Sequence, residues 1–214
     1  MDLMKSKSSK RIEYSIGFFL MSVYIFTSYV AVDVTISSSI NSLALYAFLG
    51  WGLMCALLYG LMEKIHVYTA WYMVFMLLSL FTMTYSPEFI ILSGQFYLMI
   101  VAFFVTYFIQ MFVSNEKDFE KLCWVYAISS FALILMLQFT GNLVGGVGGD
   151  RLGQEFMGNA NKFAILIMIS VLLELWLMVY GTKKGSAKIA LIFMILYNMY
   201  ALALSAGRKY IVFP

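Results

Sequence analysis

CWVYAISSFALILMLQFT, residues 123–140, runs into GNLVGGVGGDRLGQEFMGNANK, residues 141–162, and then into FAILIMISVLLELWLMVY, residues 163–180. The first and third stretches approach the ~20 mostly apolar residues that a helix needs to cross a bilayer. The middle stretch is rich in glycine and holds Asp150, Arg151, Glu155, Asn159, Asn161 and Lys162. Backbone N–H and C=O groups cannot stay unpaired in hydrocarbon, and neither apolar run has the alternation of a barrel strand. Both are therefore read as helices. This reading gives a membrane helix, a polar loop and a second membrane helix.

The same ruler finds four runs before this segment, at 15–32, 42–62, 68–85 and 91–113, and one after it, at 188–204. The expected fold class is all-α: a polytopic transmembrane helix bundle of about seven spans, with residues 1–214 as one integral membrane domain. The composition agrees. The chain is 63% hydrophobic and 12% charged, with a mean hydropathy of +0.88, whereas soluble domains are usually about half apolar. A net charge of +3, dispersed among apolar runs, argues against a nucleic-acid partner. Cys55 and Cys123 are far apart and lie in or beside apolar runs, so neither a disulfide framework nor a thiolate metal site is expected. One histidine, His66, cannot build a metal site, and no metal or cofactor is expected. The N-terminal run is longer than a signal peptide's roughly 7–15-residue apolar region and lacks a small-x-small cleavage site, which reads as an uncleaved signal anchor.

Orientation follows from the basic residues. With a cytoplasmic N-terminus, the inner segments hold Lys5, Lys7, Lys10, Arg11, Lys64, Lys117, Lys121, Lys183, Lys184 and Lys188. The outer segments hold only Arg151, Lys162, Arg208 and Lys209, so the bias is ten to four. The loop 141–162 then lies outside, and LSAGRKY (204–210) follows the last span at the same face. Tyr14, Trp71, Tyr72, Tyr85, Tyr107, Trp124, Tyr126, Tyr180 and Tyr210 fall toward span ends, where interfacial anchors sit. SNEKDFEKL (114–122) reads as a short solvated helix against the inner face.

Arginine on an outer face runs against the positive-inside bias. Arg151 and Arg208 each taken alone have lipid-phosphate anchoring as the bland alternative. Joined by Lys162 and Lys209 beside glycine turns, they suit a diphosphate, because guanidinium forks bind phosphate bidentately and glycines bring amides close. Gly146, Gly148 and Gly149 complete no phosphate-loop pattern and read as a flexible turn. Asn159 and Asn161 are expected to cap the helix starting near Phe163. Glu174 lies inside the sixth span, where a carboxylate must face the bundle or snorkel. As a proton or cation relay it would need partners; no second acidic residue occurs in a neighbouring span, and a structural or interfacial role is the expectation. His66 reads as solvated.

In chain order these clusters resemble the O-antigen ligase and O-antigen polymerase superfamily. RLGQEFMGNANKFA (151–164) resembles its arginine and glycine followed by Asn-x-Asn-x-x-Ala, in an outer loop just before a span. LSAGRKY resembles its Ser-x-Ser-Arg motif after the next span, and SNEKDFEKLCWVYAISS (114–130) its charged stretch leading into a span. The resemblance covers roughly 114–210. It departs from the pattern at Ala160, where the family has proline, and at Gly207, where it has the second serine. The family also carries a second large outer loop with its proposed catalytic histidine. Nothing here corresponds to that loop, and the expectation is a truncated chain.

The resemblance implies a bacterial cytoplasmic (inner) membrane protein of surface polysaccharide biosynthesis, of capsule or O-antigen. Its reaction would be a metal-independent glycosyl transfer at the outer face, from a polyprenyl-diphosphate-linked saccharide to a glycan acceptor. Arg151 and Arg208, supported by Lys162, would bind the diphosphate, with Gly153, Asn159, Asn161 and Ser205 shaping the site. The chemistry fits, since a departing diphosphate gains charge that arginines stabilise best in the transition state. No catalytic base is assigned, because His66 is on the wrong side, and this chain alone is expected to be inactive. The alternative is a transporter or flippase-type protein recognising a lipid-linked glycan without chemistry. Such a protein should carry interrupted spans and polar groups near the midplane; bare span centres favour the enzyme. A loop that only binds a partner is the third possibility.

Overall fold

The computed structural model describes residues 2–30, 35–58, 60, 67–85, 89–140, 160–181 and 184–205. Seven helices occur among them: α1 (Asp2–Val30), α2 (Thr35–Leu58), α3 (Val67–Thr84), α4 (Phe89–Phe112), α5 (Glu116–Phe139), α6 (Ala160–Trp176, continued by a π-helical turn Leu177–Gly181) and α7 (Gly185–Leu204). No strand occurs among the described residues. Each helix overlaps one of the seven expected spans. Six of them, α2 to α7, are long and apolar enough to cross a membrane. By length and composition the chain is thus a multi-pass helical membrane protein. α1 is outside that set, because it starts at Asp2 and takes up Glu13, Ser15, Ser22, Thr27 and Ser28 along with its apolar residues. Lys5, Lys7, Lys10 and Arg11 lie on that same helix.

The helix starts differ from expectation for local reasons. The charged stretch 114–122 leads into α5 and forms its first two turns, and is not a separate surface helix. Asn115 adopts extended backbone and its side chain accepts from the Asp118 N–H at 3.0 Å. Glu116 and Asp118 sit in the first turn, where the helix dipole favours negative charge, and Lys121 pairs with Asp118 at 2.9 Å. α6 begins at Ala160, which puts Asn161 and Lys162 inside its first turn.

Two compact units are formed. The first combines residues 1–21 and 46–114. Its core holds Met21, Phe48, Cys55, Phe108, Met111 and Phe112. Gly17 and Gly52 let α1 and α2 approach α4: a Cβ at Gly17 would enter the Phe112 ring, and one at Gly52 would lie 2.5 Å from Phe108. Small residues allow this close packing in membrane helices. Trp51 Nε1 donates to the Glu13 carbonyl at 3.1 Å. α3 and α4 pair through Thr69 Oγ1 to Gln110 Oε1 and through Tyr72 OH to the Met99 carbonyl. Tyr72 also stacks on Phe103, so this tyrosine packs on α4 where an interfacial anchor was expected. Only 11% of the α3 window and 6% of the α4 window is buried, and large apolar side chains such as Trp71, Phe75, Leu78 and Phe81 lie exposed, as lipid-facing surfaces do.

The second unit combines residues 22–45 and 115–214, and here packing is denser. Buried residues make up 44% of the α5 window and 39% of the α6 window. α5, α6 and α7 pack on one another around Leu133, Ile134, Leu137, Phe163, Ile167, Leu177, Leu191 and Leu202. The end of α1 joins them through Tyr29, whose hydroxyl donates to the Leu166 carbonyl and meets Ser170 Oγ at 2.8 Å.

Candidate functional site

α6 and α7 are joined by a three-residue connection and form an antiparallel hairpin. Leu177 clusters with Leu191 near the connection, and Glu174 bonds Asn198 further along. The first turn of α6 and the last turn of α7 therefore share one end of the hairpin. At that end Asn161 and Lys162 are exposed, while Ser205 is buried. Ser205 ends α7, its N–H bonding the Ala201 carbonyl at 3.0 Å and its hydroxyl donating to the Leu202 carbonyl at 2.7 Å. That hydroxyl thus serves the helix end. Lys162 stands where the dipole of α6 favours anions. Arg151, Gly153, Asn159 and Arg208, with most of the loop 141–162 and of the motif 205–210, lie outside the described residues, as does His66.

A second polar group occupies the interior of the same hairpin. Glu174 has no exposed surface, and neither have Asn198, Ser130 or Ser170. Asn198 Nδ2 donates to Glu174 Oε1 at 2.7 Å and to Ser130 Oγ at 3.1 Å. Ser130 in turn donates to the Ala127 carbonyl at 3.0 Å. Three helices meet here: α5 supplies Ser130, α6 supplies Glu174 and α7 supplies Asn198. At 1.5 Å per residue, Glu174 lies about 10 Å along the helix from Gly181, and Asn198 about 10 Å from Ser205. The cluster is deep within both helices.

Of the two positions open to Glu174, facing the bundle or snorkelling, the structure shows the first. It also corrects the expectation of bare span centres. Ser130, Ser170, Glu174 and Asn198 are all interior, and the π-helical turn Leu177–Gly181 interrupts the regular ladder one turn beyond Glu174. Sequence reasoning missed Asn198 because a second carboxylate was sought as the partner of Glu174. An amide within the apolar run IALIFMILYNMYALAL was the available signal, since such amides bond across helices in lipid.

Compared with protein-family models, with curated proteins and with solved structures, the chain matches none.

Proposed function

We propose that this chain is a membrane component of bacterial surface polysaccharide biosynthesis, related in its site to O-antigen ligases and polymerases. It lies in the cytoplasmic membrane with its N-terminus inside, α1 as a seventh span and 141–162 outside. The substrate is a saccharide on a polyprenyl diphosphate, and transfer goes to a glycan acceptor hydroxyl. Arg151 and Arg208 hold the diphosphate as charge builds on its leaving oxygen, and Lys162 adds a third positive charge. Guanidinium forks match phosphate oxygens two at a time, and charge aimed at the leaving group lowers the barrier to its departure.

The observation that carries this reading is the shared end of the α6–α7 hairpin, where Lys162 lies in the first turn of one helix and Ser205 ends the next. The two polar clusters of the sequence adjoin those two residues. The ten-to-four distribution of basic residues supports the orientation.

A second reading, a carrier of the lipid-linked glycan without chemistry, draws support from the buried Glu174–Asn198–Ser130 cluster and the π-helical turn beside it. Photo-crosslinking with a diazirine-bearing polyprenyl-diphosphate saccharide, mapped by peptide mass spectrometry, separates the two. Crosslinks within 151–162 and 205–210 are expected. Crosslinks centred on Glu174 and Asn198 would favour the carrier, and absence of any specific crosslink would contradict both.

A further inference from the structure

Donors and acceptors do not balance around Glu174. The two N–H bonds of the Asn198 amide are used on Glu174 Oε1 and Ser130 Oγ, and the single proton of the Ser130 hydroxyl is shared between the Ala127 carbonyl and the Glu174 carboxylate. Glu174 Oε2 and Asn198 Oδ1 remain buried with no hydrogen-bond partner among the described residues. They are the free ends of two groups already joined by the 2.7 Å bond. Both side chains are fully inaccessible. The ion pair seen among the described residues, Lys121 with Asp118, lies near the start of α5, about 13 Å along the helix from Ser130.

Among the described residues the deficit has two parts, namely two acceptors without donors and one negative charge without a partner. A buried water would supply donors and leave the charge, which is strongly disfavoured in a low-dielectric interior. A divalent cation would overshoot and leave net positive charge. A single monovalent cation meets both needs. A proton on Oε2 turns that oxygen into a donor and removes the charge. A sodium ion is held by the same hard carboxylate and carbonyl oxygens.

We infer that Glu174 Oε2 and Asn198 Oδ1, with Ser130 beside them, form an intramembrane site for one monovalent cation, a proton or a sodium ion. The site is separate from the proposed diphosphate-binding end and stands whether or not that reading holds. The titratable group that faces Glu174 from a packed element is Tyr29 on α1, which bonds Ser170 and packs edge to face on Tyr126 of α5; the other phenols and the thiol of the second unit include Tyr24, Tyr197 and Cys123. These phenols and this thiol ordinarily titrate at about pH 8.5 or above, so within this cluster acidification from neutral pH addresses Glu174, and the Glu174→Gln comparison removes the contribution of the other carboxylates.

The test is the thermal unfolding midpoint of the full chain in nanodiscs. One series lowers the pH in choline chloride without sodium. The other replaces choline by sodium at constant pH and ionic strength. A cation bound only by the folded state raises the midpoint, here by about 2–4 °C, in at least one series. Glu174→Gln places an amide donor where the cation would sit, and its midpoint should lie near the occupied wild type and respond to either series less than the wild type does. Asn198→Asp adds a second anionic oxygen and should enlarge the response. A rise with acid alone identifies the proton. A rise with sodium that acid competes away identifies the sodium ion. A wild-type midpoint flat in both series, or a Glu174→Gln variant that responds as the wild type does, overturns the site. If Glu174→Gln does not fold, an Asn198→Asp response no larger than the wild type's overturns it equally.

Discussion

The Asn198 side-chain amide donates to Glu174 over 2.7 Å, and both residues are wholly buried between two otherwise apolar helices. A carboxylate facing lipid would be expelled or would distort the helix. Facing Asn198 and Ser130, it ties α5, α6 and α7 to one register.

That tie should be measurable as a coupling. Asn198→Leu strips Glu174 Oε1 of its donor and is expected to cost about 1–3 kcal/mol. In Glu174→Leu/Asn198→Leu both partners become apolar, and part of the loss should return. The cycle is read by reversible unfolding in mixed micelles, with an expected coupling of about 0.5–2 kcal/mol. Strictly additive losses would show that the bond contributes nothing to stability.

Close approach in the first unit rests on Gly52. Gly52→Ala drives a methyl group into the Phe108 ring and should cost about 1–3 kcal/mol. Gly50, on the same helix, has nothing within 4 Å of an added Cβ. Gly50→Ala should be neutral or slightly stabilising, because alanine is the better helix former. Equal losses at both positions in the same unfolding assay would reject close packing as the role of Gly52.

Topology follows from the basic residues and is tested by single cysteines at Ser8, Gly146 and Ser186, with Cys55 and Cys123 replaced. An impermeant thiol reagent on intact cells should label position 146 alone. Labelling at 8 or 186 would reverse the orientation and remove the outer-face site.

The helices were legible in the sequence because membrane-length apolar runs leave the backbone no other choice. Their ends were less so. Residues 114–122 looked like a surface helix because charge was weighed and the Asn115 cap was not. Which face of α6 turns inward was also hidden, since a helix apolar nearly all round carries no stripe to mark its buried side. Glu174 was therefore visible as an oddity, while its partner on α7, twenty-four residues away, was not. The phosphate-binding candidates Arg151 and Arg208 were read from residue type and order, and both stand outside the described residues.

Binding of polyprenyl diphosphate to the purified chain in nanodiscs, compared with polyprenyl monophosphate, tests the proposed function most directly. If Arg151 and Arg208 share one diphosphate, the diphosphate should bind more tightly than the monophosphate. Arg151→Lys and Arg208→Lys, which keep the charge and lose the planar fork, should each weaken it by about tenfold or more. Equal affinity for the two lipids, undiminished in both lysine variants, would reduce the arginines to lipid anchors and contradict the proposal.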